Sequence, residues 1–336
     1  MSNDTYRTRS VTYQLFIGVV VLSLSFAAAM LFGAADTTAK DVWLALTSDV
    51  KTNSVNIIRE LRLPREIAAI LVGAGLSVAG AIMQGMTRNP LADPGLLGLT
   101  AGANAALAVT LAMFPSTNYL GMTIACFIGA GVGAGLVFGI GSLKRGGFSP
   151  FRIVLAGAAV SAFLFAIAEG ISLAFKLSKD VSMWTAGGLV GVSWAQIKII
   201  LPFILIGIFV SFLLARQLTI LSLNEEVAVG LGQKTMQVKV ILFILIILLT
   251  GAAVAVVGNI AFLGLMIPHI VRPIAGKDYR SILPMSAVFG ASFMLLADTV
   301  SRTINAPYET PVVAIISMMG LPFFLFIVNK RGRTFS

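Results

Sequence analysis

Apolar runs of about twenty residues recur along the whole chain, separated by short polar breaks. An α-helix rises about 1.5 Å per residue, so about twenty such residues cross the hydrocarbon core of a bilayer. With no water there to bond the backbone, each run is read as a helix. Runs near 14–34, 67–86, 95–114, 119–142, 152–175, 197–214, 238–257, 260–270, 281–297 and 310–328 predict ten spans, the eighth of them short. Only 11% of the 336 residues are charged, against roughly 25% in soluble domains. The predicted fold class is therefore an all-α integral membrane protein with one transmembrane domain over residues 1–336.

Ten spans place both termini on one side. With both ends cytoplasmic, 15 Lys and Arg face 5 Asp and Glu on the inner side, and 9 face 9 on the outer side. Basic residues concentrate on the cytoplasmic side of membrane proteins, so the ten-span reading and its orientation support each other. The first apolar run, Leu15–Leu31, is longer than the hydrophobic region of a cleavable signal and is read as a retained span. The net charge of +10 is spread between apolar runs. It reports orientation and implies no nucleic-acid partner.

Several chemistries are excluded. A single Cys (Cys126) and a single His (His269) rule out internal disulfides and multi-residue His/Cys metal sites. The glycine-rich "GAGVGAG" at 129–135 follows no strand and precedes no Lys-Ser/Thr pair, and no Walker A sequence occurs, so the chain cannot hydrolyse ATP. No paired catalytic motif is present, and no catalytic, metal or cofactor-binding residue is assigned.

The polar breaks carry the functional signal. "TRNPLADPGLLG" at 87–98 places Pro90 and Pro94 directly after the second span. Proline removes an N–H donor and restricts the residue before it. Irregular backbone near membrane depth is tolerated only inside protein or beside a water-filled cavity, so this turn either lines something or is an ordinary loop. The largest inner break, 215–237, is too polar and short to span. Asn224 can cap a short helix, with Glu225 and Glu226 in its first turn and Gly230 or Gly232 at its end. Gly73, Ser77, Ala81 and Gly85, and likewise Gly131, Gly135 and Gly139, recur every four residues as stripes suited to close helix contact. Glu169 and Asp298 are ionisable groups inside or beside spans, and an ion-coupled secondary transporter using them is the rival class. His269 is read as structural.

Four blocks carry a family resemblance. "RLPR" at 62–65 with "GAGLSVAGAIMQGMTRNPLADPGLLG" at 73–98, "LNEEVAVGLG" at 223–232, "GNIAFLGLMIPHIVRPIAGKDYRSILPMSAVFGASFMLLADTVSR" at 258–302, and "ETPVVAIISMMGLPFFLFIV" at 309–328 resemble the permeases of type II ABC importers for ferric siderophores, haem and vitamin B12. The resemblance implies a pair of permeases, identical or paralogous, two cytoplasmic ATPase subunits that use ATP, and an extracytoplasmic binding protein. A ferric siderophore is the first expectation for the cargo, with haem or vitamin B12 as alternatives. By the same resemblance Asn89 and Leu91 belong to a cytoplasmic gate, with a second gate element around Ser149–Arg152. Asn224, Glu225, Glu226, Ala228, Gly230, Leu231 and Gly232 form the coupling helix between spans 6 and 7. Arg62, Arg65 and Arg302 dock the binding protein. The competing local reading pairs Arg62 or Arg65 with Glu60 or Glu66, and Arg302 with Asp298. Thr310, Val313 and the "KDYR" at 277–280 depart from the family pattern and weaken any transfer of substrate preference.

Overall fold

The computed structural model describes residues 2–33, 37–142, 150–186, 188–306 and 308–332, with side chains over 12–325 apart from 34–36, 96, 142–151, 187 and 307. The described residues are helical throughout, with no strand. The order is α1 (Ser2–Leu31), α2 (Ala39–Thr47), α3 (Asn53–Ile57), α4 (Leu63–Thr87), α5 (Leu99–Met113), α6 (Tyr119–Ser142), α7 (Pro150–Ala174), α8 (Ser178–Ala186), α9 (Trp194–Leu213), α10 (Ala215–Leu223), α11 (Glu225–Gly230), α12 (Thr235–Val257), α13 (Leu263–Ala275), α14 (Tyr279–Thr303) and α15 (Val312–Gly332). A π-helical turn, Ile58–Arg62, joins α3 to α4, and a 3₁₀ turn, Pro94–Leu97, precedes α5. Among the described residues seven helices are long and apolar enough to cross a membrane, and α5, α13 and Val312–Leu325 of α15 are shorter apolar helices. Each run expected to span falls on one of these ten helices.

Helix starts follow local chemistry. Thr38 and Asp41 form a reciprocal capping box at α2, and Ser193 and Gln196 form one at α9. Asp278 caps α14 by accepting from the Arg280 amide at 2.9 Å. Each arrangement satisfies amides that a helix start leaves without intrahelical partners. The far end of α2 is closed by Arg59, which donates to the carbonyls of Leu44, Ala45, Ser48 and Val50.

The centre is α4, buried along nearly its whole length and packed on α9, α12, α13 and α14. Small residues let the backbones meet. A side-chain carbon at Gly73 would strike the carbonyl of Gly290, and one at Gly80 would strike the carbonyl of Gly264. At Gly85 it would come 2.6 Å from the ring of Tyr279. The α4 stripe is thus a contact face at Gly73, Ser77 and Gly85, with Gly80 serving a second neighbour. The α6 stripe is a correction. Gly129 and Gly133 pack against Gly98 and Gly102, whereas a side chain at Gly131, Gly135 or Gly139 would meet nothing within 4 Å. Two residues along a helix turn the face by about 200°, so both sets satisfied the spacing and only the neighbouring helix α5 chose between them.

Candidate functional site

At its C-terminal end α4 stops at Thr87, and Arg88 takes a left-handed conformation with φ 54°. That conformation is uncommon for a residue with a side chain. It turns the chain into a compact loop in which the Asn89 side chain accepts from the Leu91 amide at 3.0 Å. The Asn89 carbonyl accepts from Ala92 at 3.1 Å. Asp93 then accepts from the Gly95 amide at 2.8 Å and from the amide of Phe262, just before α13. Asn89 is exposed and Leu91 partly so. Most of the second gate element, Ser149 and the side chains of Pro150 and Phe151, lies outside the described residues. Arg152 is half-buried at the start of α7.

Beside this turn sits the break at 215–237. It is more ordered than its polarity predicts, because α10 buries Ala215, Leu218 and Leu221 against the bundle. Asn224 caps α11, accepting from the Glu226 amide at 3.2 Å, and the helix ends at Gly230. Gly232 follows with φ +77°, a conformation glycine tolerates. The helix buries Ala228 alone and exposes Val227, Val229 and, on its flanks, Leu223 and Leu231. Glu225 is bound by the buried Lys239 of α12 at 2.5 Å. Arg88 reaches the Asn224 side chain at 3.5 Å. The Thr219 hydroxyl donates to Asp278 at 3.2 Å and accepts from the Tyr279 amide at 2.9 Å. Burial works against the charge of Asp278, but its bonds from Arg280 and Thr219 hold the carboxyl below its ordinary value. The α10–α11 unit is therefore keyed to α4, α12 and α14.

At the opposite end of α4, it shares a cluster of charges with α14. Arg65 binds Asp298 and Glu309, both at 2.9 Å. Arg302 binds Glu66 at 2.5 Å and Asp298 at 3.0 Å. Arg62 donates to the Met30 carbonyl at 2.6 Å and to the Thr37 hydroxyl at 2.5 Å, closing the end of α1. The side chains of Asp298 and Glu66 are fully buried, that of Arg302 is 4% exposed and that of Arg65 is 11% exposed. The guanidinium groups expected to face a docking protein are turned inward, and Asp298 holds two arginines. Glu169 lies exposed on α7, and His269 packs edge-on to Phe323 with ring centres 5.8 Å apart.

The model of the FecCD transport family matches residues 21–330. The chain belongs to the FecCD transport family. This FecCD chain is 44% identical over 330 residues to the iron(3+)-hydroxamate import system permease protein FhuB of Bacillus subtilis (strain 168), covering 98% of this chain and 86% of that one. It is 36% identical to the ferric enterobactin transport system permease protein FepD of Escherichia coli (strain K12), covering 99% of both. A solved metal-chelate type ABC transporter in an inward-facing conformation superposes with a TM-score of 0.82 at 25% identity, over 95% of this chain and 99% of that one. PsaBC from Streptococcus pneumoniae in complex with Fab shares the fold alone, with a TM-score of 0.60 at 17% identity, over 86% of this chain and 94% of that one.

In the FecCD chain three connections escaped sequence reasoning. Lys239 counted only toward orientation, although a lysine one turn into an apolar helix needs a partner. Thr219 carried no signal, since a threonine bonds wherever its neighbours permit. Glu309, beside an expected span, was legible as an acid but not as a partner of Arg65, which is 244 residues away.

Proposed function

We propose that this chain is the permease subunit of an ATP-driven importer that moves a ferric siderophore across the bacterial cell membrane. The observation that carries the reading is α11, a capped helix that leaves Leu223, Val227, Val229 and Leu231 exposed while its first turn is held by Lys239. An apolar patch of this kind suits a protein partner. The FecCD match and the named functions of the relatives supply the importer and the iron chelate.

The chain is a transport subunit, and ATP is hydrolysed by the partner. In this reading ten helices cross the membrane with both termini cytoplasmic, and a second permease copy or paralogue completes the pathway. Two ATPase subunits bind below, one on the α11 of each permease. They shift the permease between states by binding α11 differently with and without ATP. Rigid-body motion of α10–α11 passes to α12 through Glu225 and Lys239, and to the turn at Asn89–Leu91 through Arg88. The binding protein docks over the outer ends of α4 and α14. Its acidic groups would compete with Asp298, Glu66 and Glu309 for Arg62, Arg65 and Arg302. Ion-coupled transport is disfavoured because Asp298 is bound by two arginines.

ATP-driven uptake tests the whole reading. Proteoliposomes holding the permease, its ATPase and the binding protein should accumulate ferric siderophore with ATP and not with a proton gradient. Glu226→Arg, on an exposed side chain, should fold normally yet reduce ATPase co-purification and uptake about tenfold or more. Gradient-driven uptake, or full coupling in the variant, would overturn the assignment. The turn has its own test: Leu91→Ala should leak substrate from loaded liposomes without ATP, and Leu91→Trp should slow uptake. Wild-type behaviour in both variants makes the turn an ordinary loop.

A further inference from the structure

The connection between α1 and α4 leaves an apolar stripe exposed among the described residues. Ala39, Trp43 and Leu46 of α2, with Val50 just beyond it, are spaced by four, three and four residues, the period of one helix face. All four are exposed, Trp43 at 68% and Leu46 at 54%. The opposite face is already seated. Ala45 joins Met30, Val55 and Ile58 in a small buried cluster, with Val42 and Leu44 packed on it. Thr38 and Asp41 complete the cap. The helix is thus started and seated without the stripe, and large apolar side chains held in one row mark a contact surface.

Depth identifies what covers it. Arg59 fixes the C-terminal end of α2 by donating to the carbonyls of Leu44, Ala45, Ser48 and Val50. The carbonyl of Arg59 accepts from the indole N–H of Trp194 at 3.0 Å, and Trp194 opens α9, one of the helices long enough to cross the membrane. One turn further along the chain, Arg62 donates to the Met30 carbonyl at 2.6 Å, at the end of the spanning helix α1. α2 is therefore tied at the level where α1 leaves the bilayer and α9 enters it. The exposed side of α1 runs on into the same region through Leu24, Leu31 and Phe32, and α1 is the least buried of the seven candidate spans.

We propose that α2 is an interfacial helix whose stripe, Ala39, Trp43, Leu46 and Val50, lies in the boundary between headgroups and acyl chains of the adjoining leaflet. Tryptophan concentrates at that boundary because its ring is apolar while its N–H can stay wet. Lys40 stands beside the stripe, where its stem can lie on the apolar surface while its ammonium reaches the phosphates. Helices of this kind sink the apolar face about 5–10 Å into the boundary. Arg59 and Arg62 join α2 to the ends of α4 and α1, so the lipid contact holds those helix ends at one depth. This contact does not depend on which cargo is carried.

Trp43 provides the readout. The full-length permease, purified with the partner subunits it carries, is reconstituted in phosphatidylcholine liposomes and in matched liposomes brominated high on the acyl chain. Trp43→Phe, on an exposed side chain, should fold as the wild type does, so the emission lost between the two proteins belongs to Trp43. That emission should be quenched in the brominated lipid and should resist acrylamide in the water. Bromines near the chain end should quench it less. Leu46→Glu should increase acrylamide quenching of Trp43 and shift its emission to longer wavelength, because a carboxylate draws the stripe toward water. Quenching by acrylamide with none by bromine would put the stripe in water, and protection from both would mean that a protein covers it. Either outcome overturns the proposal. A nitroxide on Trp43→Cys, in a Cys126→Ala background, repeats the test without tryptophan. It should collide more often with oxygen dissolved in the lipid than with a water-soluble nickel chelate, and the reverse order would overturn the proposal as well.

Discussion

Arg302→Met should destabilise the folded permease by about 3–5 kcal/mol, the usual cost of removing one partner from a buried ion pair. Only 4% of the Arg302 side chain is exposed, and its partners Glu66 and Asp298 are fully buried. Asp298 keeps Arg65 at 2.9 Å, so the uncompensated charge falls on Glu66. The double variant Arg302→Met with Glu66→Met should recover much of the loss, because replacing a whole buried pair by apolar side chains is often neutral. Thermal unfolding in detergent, followed by size-exclusion chromatography, measures both. A single variant as stable as wild type would show that the cluster contributes nothing to the fold. Charge reversal at Arg302 consequently reports on folding before it reports on docking of a binding protein.

Gly80→Val should abolish accumulation of folded permease, and Gly80→Ala should lower its stability markedly. The added carbon at Gly80 falls on the backbone carbonyl of Gly264, which cannot swing aside as a side-chain tip can. Overpacking typically costs about 1–3 kcal/mol and more where backbone must move. Gly135→Ala is the matched control. Nothing lies within 4 Å of its added carbon, and alanine improves helix propensity by up to about 1 kcal/mol, so stability should hold or rise slightly. Membrane yield and melting temperature of the three variants decide the matter. Equal behaviour of Gly80→Ala and Gly135→Ala would mean that α4 and α13 are not in contact as described.

The sequence by itself determined the solvent, the positions of the long apolar helices and the places where helices break. Those properties are local: apolar length sets a span, proline denies a hydrogen bond, and Asn224 or Asp278 caps the amides that follow it. The short helix at 225–230 was legible for that reason, as was the turn after α4. Tertiary structure alone decided which of two equally spaced glycine sets on α6 meets a neighbour, and that Arg62, Arg65 and Arg302 turn inward. It also decided that Glu225 meets Lys239. These depend on pairs such as Arg65 and Glu309, 244 residues apart in the chain. No local propensity records such a pairing, because it exists only once the packing of α4 against α14 has brought the two ends together.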